Sequence, residues 1–329
     1  MRQGIAIVAF TDRGETLAKT LGAALGGSVS RAGSGDVSFR AWTREMFSAR
    51  EALIFVGAAG IAVRAVAPHL KSKAEDPAVV VVDETGQFVI PLVSGHLGGA
   101  NALARRIAAL LDATPVITTA TDLNRVFAVD LWAKRQGMTV LQPERIKRVS
   151  AKRLAGARVD ISCPWPIAGE APEGVTLGQG SDVIVDVRPC AGEALQLVPH
   201  ALVLGVGCRR GTTAEQIETV FRRFCGARGI LPQAIRATAS IDRKQDEAGL
   251  LAFCEKHGWP VRFFTAEALM AAAGDFSASA FVLETVGADN VCERSAVLCA
   301  GGALLEKKYA AEGVTLALAL TPPQLDWSC

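Results

Sequence analysis

The residues best suited to chemistry lie in one glycine-rich stretch, residues 94–101, which reads SGHLGGAN. Glycine backbone can adopt positive φ angles and can come very close to a ligand. The stretch follows a short apolar run and precedes an alanine-rich segment, so it predicts a turn at a helix N-terminus, where free amides attract anions. His96 can transfer a proton near neutral pH, and Asn101 can hold or polarise a carbonyl group. The pattern predicts a turn that binds a polyanion, and the alternative is a structural turn with His96 bonded to backbone. The predicted ligand contacts in this stretch are Ser94, Gly95, Gly98, Gly99 and Asn101.

Two carboxylates, Asp83 and Glu84, stand with Gly86 at the tip of a predicted hairpin shortly before His96. A carboxylate at this place can orient the imidazole or activate water, so both residues are candidate catalytic groups. Asp and Gly are also ordinary turn residues, which leaves a purely structural turn as the alternative.

Polar side chains gather again after a predicted strand over residues 115–119. Open α/β sheets bind their ligands at strand ends, so these side chains fit a polar ligand. Ordinary capping by hydroxyl and amide groups explains them about as well. The candidates for ligand binding are Thr119, Asp122 and Asn124.

A second loop, residues 205–212, reads GVGCRRGT and begins another strand–helix unit. Arginine forks between glycines suit carboxylates or phosphates, and a solvated loop is the alternative. Gly211 follows Gly207 by four residues, one more than the dinucleotide-binding fingerprint has between its second and third glycines. Cys208 lies beside two arginines, but buried cysteine is common, so thiol catalysis is not predicted. The candidate contacts here and after the next strand are Gly207, Cys208, Arg209, Arg210, Thr212, Ser240, Asp242 and Lys244.

Composition excludes several classes of protein. The 35 basic and 33 acidic residues leave a net charge of +2, too little for a nucleic-acid-binding face. No Lys-Ser or Lys-Thr follows the glycines, and the four histidines lack metal-site spacing, so neither nucleotide hydrolysis nor a protein-bound metal is predicted. The eight cysteines form no CxxC pair, the start lacks a signal peptide, and no apolar run is long enough to span a membrane. We therefore expect a soluble cytoplasmic protein with reduced thiols.

The elements that position these residues alternate between strand and helix. Buried strands with intervening helices predict a largely parallel α/β sheet near each end of the chain. The expected fold is two parallel-rich α/β sandwich domains, residues 1–137 and 199–329, joined by a small mixed α/β middle domain, residues 138–198. Among the local expectations are a strand over residues 37–39 and a capping box formed by Thr212 and Glu215.

The motifs together resemble one enzyme family. VGAAGIAVR at 56–64, VDETG at 82–86 and SGHLGGAN are similar to the N-terminal part of the cobalt-precorrin-5A hydrolase (CbiG) family. GVGCRRGT, with residues 239–244, is similar to its C-terminal domain. The order and spacing fit over nearly the whole chain and are weakest in the middle region.

The resemblance implies an enzyme of the oxygen-independent cobalamin pathway. The family opens the δ-lactone of a cobalt-bearing, carboxylate-rich macrocycle and releases acetaldehyde. It implies a small-molecule substrate, possible hand-over to neighbouring corrin-pathway enzymes, and no cofactor, because cobalt arrives inside the substrate. Gly57 and Gly60 of the first motif become candidate substrate contacts.

A mechanism follows as a hypothesis from the chemistry of the residues. His96, oriented by Asp83 or Glu84, acts as the base for water attack on the lactone. The amides of Gly98 and Gly99 stabilise the oxyanion, and Arg209 and Arg210 clamp peripheral carboxylates. A carrier protein for pathway intermediates and a nucleotide-binding oxidoreductase are the alternatives.

Overall fold

Two compact units, Met1–Leu131 and Trp132–Cys329, make up the chain. The computed structural model describes residues 2–33, 38–72, 75–124, 126–178 and 182–328. Within these ranges, no helix is long and apolar enough to cross a membrane.

The first unit is built on a six-stranded sheet with the order β2-β1-β3-β4-β5-β6. Its strands are β1 (Ile5–Ala9), β2 (Ser28–Arg31), β3 (Ala52–Val56), β4 (Ala78–Val82), β5 (Phe88–Val93) and β6 (Thr114–Pro115). Its helices are α1 (Asp12–Leu25), α2 (Phe39–Ala49), α3 (Ala59–Val66), α4 (Ala100–Leu111) and α5 (Ala120–Leu123), and α6 (Val129–Arg135) begins at its end. A 3-10 turn at Ala67–His69 follows α3, because Pro68 cannot continue the α-helix.

Helices cover both faces of this sheet. On one face, alternate strand residues such as Ile7, Ile54 and Val80 pack with Leu21 of α1 and Ile107 of α4. On the other face, Phe55 and Val81 are among the strand residues that pack with α2 and α3. The central strands are therefore buried on both sides, which is why they appear as continuous apolar runs.

The hairpin between β4 and β5 reverses the chain direction within this sheet. Strand β4 runs parallel to β3, whereas β5 runs antiparallel to β4, with Val82 opposite Val89 and Val79 opposite Val93. The carboxyl end of β5 therefore lies at the edge where β4 begins. Residues 94–101 consequently lie at the opposite edge of the sheet from residues 57–60 and 83–86.

The second unit contains two five-stranded sheets, ordered β10-β8-β11-β12-β7 and β15-β14-β13-β17-β16, and a two-stranded pair of β18 with β9. Its strands are β7 (Met138–Val140), β8 (Val159–Ser162), β9 (Ile167–Ala168), β10 (Val175–Leu177), β11 (Val183–Val185), β12 (Leu195–Pro199), β13 (Leu202–Cys208), β14 (Ile235–Ile241), β15 (Val261–Phe264), β16 (Ala303–Ala311), β17 (Val314–Leu320) and β18 (Leu325–Asp326). Its helices are α7 (Ile146–Leu154), α8 (Ala214–Arg228), α9 (Ala248–His257), α10 (Ala266–Ala271), α11 (Ala280–Val286) and α12 (Cys292–Ala300).

Parallel pairing dominates the first of these sheets and makes up half of the strand pairs in the second. Strands β15, β14 and β13 are parallel, and β17 and β16 complete that sheet in antiparallel pairing. Residues of α8 and α9 pack on one face and residues of α12 on the other. The predicted fold class is confirmed. The three-domain division stays a prediction, since both sheets fall within the second unit.

Three local predictions were wrong. The second strand is Ser28–Arg31, a short polar edge strand without apolar alternation, whereas Phe39 begins α2 and Val37 lies outside the described residues. The strand predicted at 115–119 is only the pair Thr114–Pro115. The capping box consists of Thr213 and Gln216, one residue later than predicted, because the Gly211-Thr212 segment extends the preceding loop.

Candidate functional site

The glycine turn forms a closed loop at the start of α4. Ser94 has a positive φ of 58°, and Gly99, with φ of 90°, precedes the first helical residue. The amide of Ala100 donates to the carbonyl of Ser94 at 3.1 Å, and the amide of Asn101 donates to Gly95 at 3.0 Å. Within the described residues, the amides of Gly98 and Gly99 donate no hydrogen bond. The open donors of the turn include these two amides.

Glycine is required at two positions of the turn because other side chains occupy the space. A Cβ atom on Gly95 would lie 2.8 Å from Oδ1 of Asn101. A Cβ atom on Gly98 would overlap the side chain of Ser94. The glycines therefore serve close packing in this turn as well as conformational freedom.

His96 lies between two carboxylates. Its Nε2 atom is 2.8 Å from Oδ2 of Asp122, and its Nδ1 atom is 3.1 Å from Oδ2 of Asp130. The His96 side chain is 11% exposed. Ionised carboxylates only accept hydrogen bonds, so this arrangement needs a proton on both ring nitrogens. The hydrogen bond to Asp130 raises the pKa of His96 above its ordinary value, and Asp122 adds to this effect, despite the opposing influence of burial. Both carboxylates therefore favour the imidazolium form of His96.

Asp122 joins His96 to the start of α4. Its carboxylate also accepts hydrogen bonds from Nδ2 of Asn101 at 3.0 Å and from the Arg105 guanidinium at 2.6 Å. Asn101 donates to Oγ1 of Thr119 at 2.9 Å as well. Burial alone would raise the pKa of Asp122, but the hydrogen bonds from Arg105 and His96 lower it below its usual range. The predicted residues Asn101, Thr119 and Asp122 thus form one hydrogen-bonded network around His96.

The structure corrects the predicted partners of His96. Asp83 binds the backbone of its own turn through the amides of Thr85 and Phe88, and Glu84 accepts a hydrogen bond from Thr11 at 2.8 Å. Both residues stand at the far end of β5, and six residues of strand span roughly 20 Å at about 3.3 Å each. The carboxylates that hold His96 are Asp122 and Asp130.

Asp130 is the functional residue that sequence reasoning missed. It lies in α6, and its side chain is buried. An acidic residue within the apolar segment VFAVDLWA was the available signal, because buried carboxylates are rare unless paired. Asn124, by contrast, donates to the carbonyl of Ala120 in its own helix.

Gly57 and Gly60 lie at the sheet edge opposite His96. Gly57 has φ of 156°, and a Cβ atom there would lie 2.8 Å from the Phe10 ring. Gly60 is in the first turn of α3, and its carbonyl accepts a hydrogen bond from Arg64. The predicted N-terminal contacts are thus divided between two edges of one sheet.

The arginine loop of the second unit is held by its own polar groups. The amide of Arg209 donates to Gly313 at 3.0 Å, and Oγ1 of Thr212 donates to the carbonyl of Arg209 at 2.8 Å. Glu247 accepts from the amide of Gly211 at 2.8 Å and pairs with Lys244 at 2.9 Å. The Gly211 amide, which a dinucleotide phosphate would need as a donor, is therefore already bonded to the Glu247 carboxylate. Anion binding by this loop would rest on its arginine side chains.

The other residues predicted here and after the next strand make contacts within the second unit, and their role in binding stays a prediction. Ser240 is fully buried and donates to the carbonyl of Val206 at 2.7 Å, and Gly207 packs closely against Oγ1 of Thr315. Asp242 begins a 3-10 turn, Asp242–Lys244. Burial raises the pKa of the Cys208 thiol, which makes it a weak nucleophile. In the parts of the chain that the structure describes, no group of three or more His, Cys, Asp or Glu could hold a metal ion.

Comparisons with known proteins assign this chain to a family. The models "Cobalamin synthesis G N-terminal" and "Cobalamin synthesis G C-terminus" match residues 41–122 and 202–319. The cobalt-precorrin-5A hydrolase of Salmonella typhimurium is 37% identical, with 86% of each chain covered. That of Priestia megaterium is 31% identical over 98% of this chain and 96% of its own. This chain belongs to the CbiG family.

Both CbiG models include one of the loops described above. The N-terminal model contains His96, Asn101 and Asp122 but ends before Asp130, and the C-terminal model contains the arginine loop. A solved structure of a cobalamin biosynthesis protein G homolog from Sulfolobus solfataricus is 22% identical, covers 97% of both chains and has a TM-score of 0.43. The predicted family, a hydrolase of cobalamin biosynthesis, is confirmed.

Proposed function

We propose that this CbiG protein opens the δ-lactone of cobalt-precorrin-5A and releases acetaldehyde, giving cobalt-precorrin-5B. The observation that carries the proposal is the position of His96, which is buried between Asp122 and Asp130 in the turn that contains the amides of Gly98 and Gly99. Two relatives are named cobalt-precorrin-5A hydrolase, which supports this choice of substrate. The cobalt belongs to the substrate, so the proposed reaction needs no cofactor from the protein. Cytoplasmic location and hand-over of the product to a later pathway enzyme stay predictions.

In the first step the enzyme opens the lactone. The amides of Gly98 and Gly99 polarise the lactone carbonyl, water adds to its carbon, and these amides stabilise the oxyanion. The two protons of the added water pass to the solvent, which leaves the product acid as a carboxylate. Collapse of the tetrahedral intermediate breaks the bond to the ring oxygen, which takes a proton from Nε2 of His96. An imidazolium ion can donate this proton but cannot act as a base, so His96 serves here as the acid. The products are a carboxylate and a secondary alcohol.

In the second step His96 acts as a base. Having lost its Nε2 proton, the ring keeps the Nδ1 proton that faces Asp130, which leaves a lone pair on Nε2. Nε2 removes the proton of the alcohol, the carbon–carbon bond to the macrocycle breaks, and its electron pair passes into the conjugated ring. The former alcohol carbon leaves as acetaldehyde, and His96 returns to the imidazolium form. In both transfers the substrate oxygen takes the place of Asp122 at Nε2, while Asp122 keeps its hydrogen bonds from Arg105 and Asn101.

Incubation of the purified protein with cobalt-precorrin-5A tests the proposal directly. We expect one acetaldehyde per substrate, measured by NADH consumption with alcohol dehydrogenase, and a macrocycle whose mass has changed by the gain of water and the loss of acetaldehyde. Substrate in buffer alone controls for spontaneous opening. A folded protein that binds the macrocycle and releases no acetaldehyde above that control would favour the carrier alternative.

Arg209 of the second unit is proposed to bind a peripheral carboxylate of the substrate. Its side chain is exposed and extends along Gly313, whereas the neighbouring Arg210 pairs with Asp246 at 3.3 Å. We expect Arg209→Gln to raise KM by about tenfold with kcat nearly unchanged, because a charge-assisted hydrogen bond contributes roughly 1.5–3 kcal/mol. Steady-state kinetics with cobalt-precorrin-5A measure this. Arg223→Gln, which removes an exposed arginine paired with Glu312, is the matched control; equal KM values for the two variants would exclude Arg209 from binding.

A further inference from the structure

Ser94 has an unusual backbone conformation for a buried residue. Among the described residues, only three that are not glycine have positive φ: Ser94, Asp112 and Glu312. Asp112 is the exposed C-cap of α4, and Glu312 is exposed in the turn between β16 and β17. Such positions commonly adopt the left-handed region. Ser94 is instead 7% exposed. Its strain is not explained by a surface turn.

The hydroxyl of Ser94 is also without a partner. Its Oγ atom is buried and forms no hydrogen bond with any described residue. A buried hydroxyl without a partner destabilises the folded protein, and so does a positive φ at a residue with a side chain. Glycine would remove both penalties, and positions 95, 98 and 99 of the same turn are already glycine. Two unfavourable features at one residue beside the candidate site indicate that the hydroxyl is retained for a ligand.

The surroundings show which kind of ligand group the hydroxyl can meet. Oγ lies 3.2 Å from the position that a Cβ atom on Gly98 would take, so it lies directly beside Gly98. The carbonyls of Ser94 and Gly95 already accept from the first two amides of the twelve-residue helix α4. The Ser94 hydroxyl and the Gly98 amide are therefore donors at residues that lie side by side, and neither has a partner among the described residues. Two adjacent donors at a helix N-terminus suit an acyl oxygen, which carries two lone pairs.

We propose that Ser94 is a substrate-contacting residue whose hydroxyl, together with the Gly98 amide, binds the lactone carbonyl oxygen. This inference rests on the proposed function and adds a third donor to the two amides. Oγ is buried in this turn, and the flanking glycines allow the turn to open when substrate enters. A hydrogen bond to an oxyanion is stronger than one to a neutral carbonyl, so the hydroxyl acts mainly on kcat.

Two variants separate strain from function. Ser94→Gly removes both the positive-φ strain and the hydroxyl, whereas Ser94→Ala removes only the hydroxyl. We expect Ser94→Gly to raise Tm by about 3 °C. We expect both variants to lower kcat at least about tenfold, with KM little changed, because one oxyanion donor is lost. Asp112→Gly relieves a positive φ at the other end of the same helix and is the matched control. It should raise Tm without changing kcat.

Failure of the Ser94 inference can be distinguished from failure of the proposed function. If the wild type releases acetaldehyde and both Ser94 variants keep kcat within about twofold, the inference is overturned and Ser94 is only structural. If the wild type releases none, the proposed function fails. The inference then fails with it, because an oxyanion contact requires a lactone-opening reaction. If Ser94→Gly does not fold, the strain argument is wrong and Ser94→Ala alone tests the contact.

Discussion

Replacing His96 with glutamine lowers kcat for cobalt-precorrin-5A by about 10²–10⁴-fold, the usual contribution of a positioned acid or base. His96 gives its proton to the ring oxygen in the first step and takes one from the alcohol in the second. Glutamine fills similar space and still donates one hydrogen bond to a carboxylate, but it cannot transfer a proton. We expect KM to change much less than kcat. Acetaldehyde release at saturating substrate measures the effect.

His69→Gln is the matched control for this variant. His69 is in the same unit, and its ring contacts Phe47 at a centroid distance of 5.8 Å. The same substitution there should leave kcat unchanged. Circular dichroism and Tm of both variants show whether the fold is intact. A folded His96→Gln protein with wild-type kcat would remove His96 from the mechanism.

Asp130→Asn moves the alkaline limb of the pH–rate profile to lower pH and lowers kcat by about a hundredfold, because the amide can also stabilise the wrong imidazole tautomer. The hydrogen bond to Asp130 is the largest cause of the raised pKa of His96, so removing the charge lowers that pKa. In the wild type, the imidazolium needed for the first step persists above the ordinary pKa of 6.5 and is lost as pH rises through the raised value. The profile of kcat against pH measures the shift.

The same titration predicts how stability depends on pH. A histidine with a raised folded-state pKa stabilises the protein fully below its unfolded pKa, and this contribution disappears as pH rises through the folded pKa. The Tm difference between wild type and Asp130→Asn should therefore be larger at about pH 6 than at about pH 9. Asp112→Asn makes the same change of charge at the exposed end of α4 and should move neither profile. An unshifted alkaline limb in Asp130→Asn would show that another group controls it.

Local patterns in the sequence predicted much of the fold. The apolar strands β1, β3, β4 and β5 and the helices α1, α3 and α4 follow from periodicity, capping residues and prolines, which act over a few residues. The polar edge strand Ser28–Arg31 was not predictable in this way, since an edge strand needs no buried alternating face. The predicted capping box was misplaced by one residue, because two adjacent threonines offer the same chemistry to the helix start.

The candidate site also combines features that local sequence predicts with features that it does not. The sequence by itself determined the glycine turn with His96 and Asn101, because glycine spacing, a histidine and a following helix are all local features. Only the tertiary structure decided the partners and charge of His96. Asp83 and Glu84 are closer to His96 in the sequence, but the hairpin places them at the far end of β5. Asp122 and Asp130, which contact His96, are 26 and 34 positions from it along the chain. The protonation of an imidazole depends on which charges surround it in space, and distance along the chain does not report that.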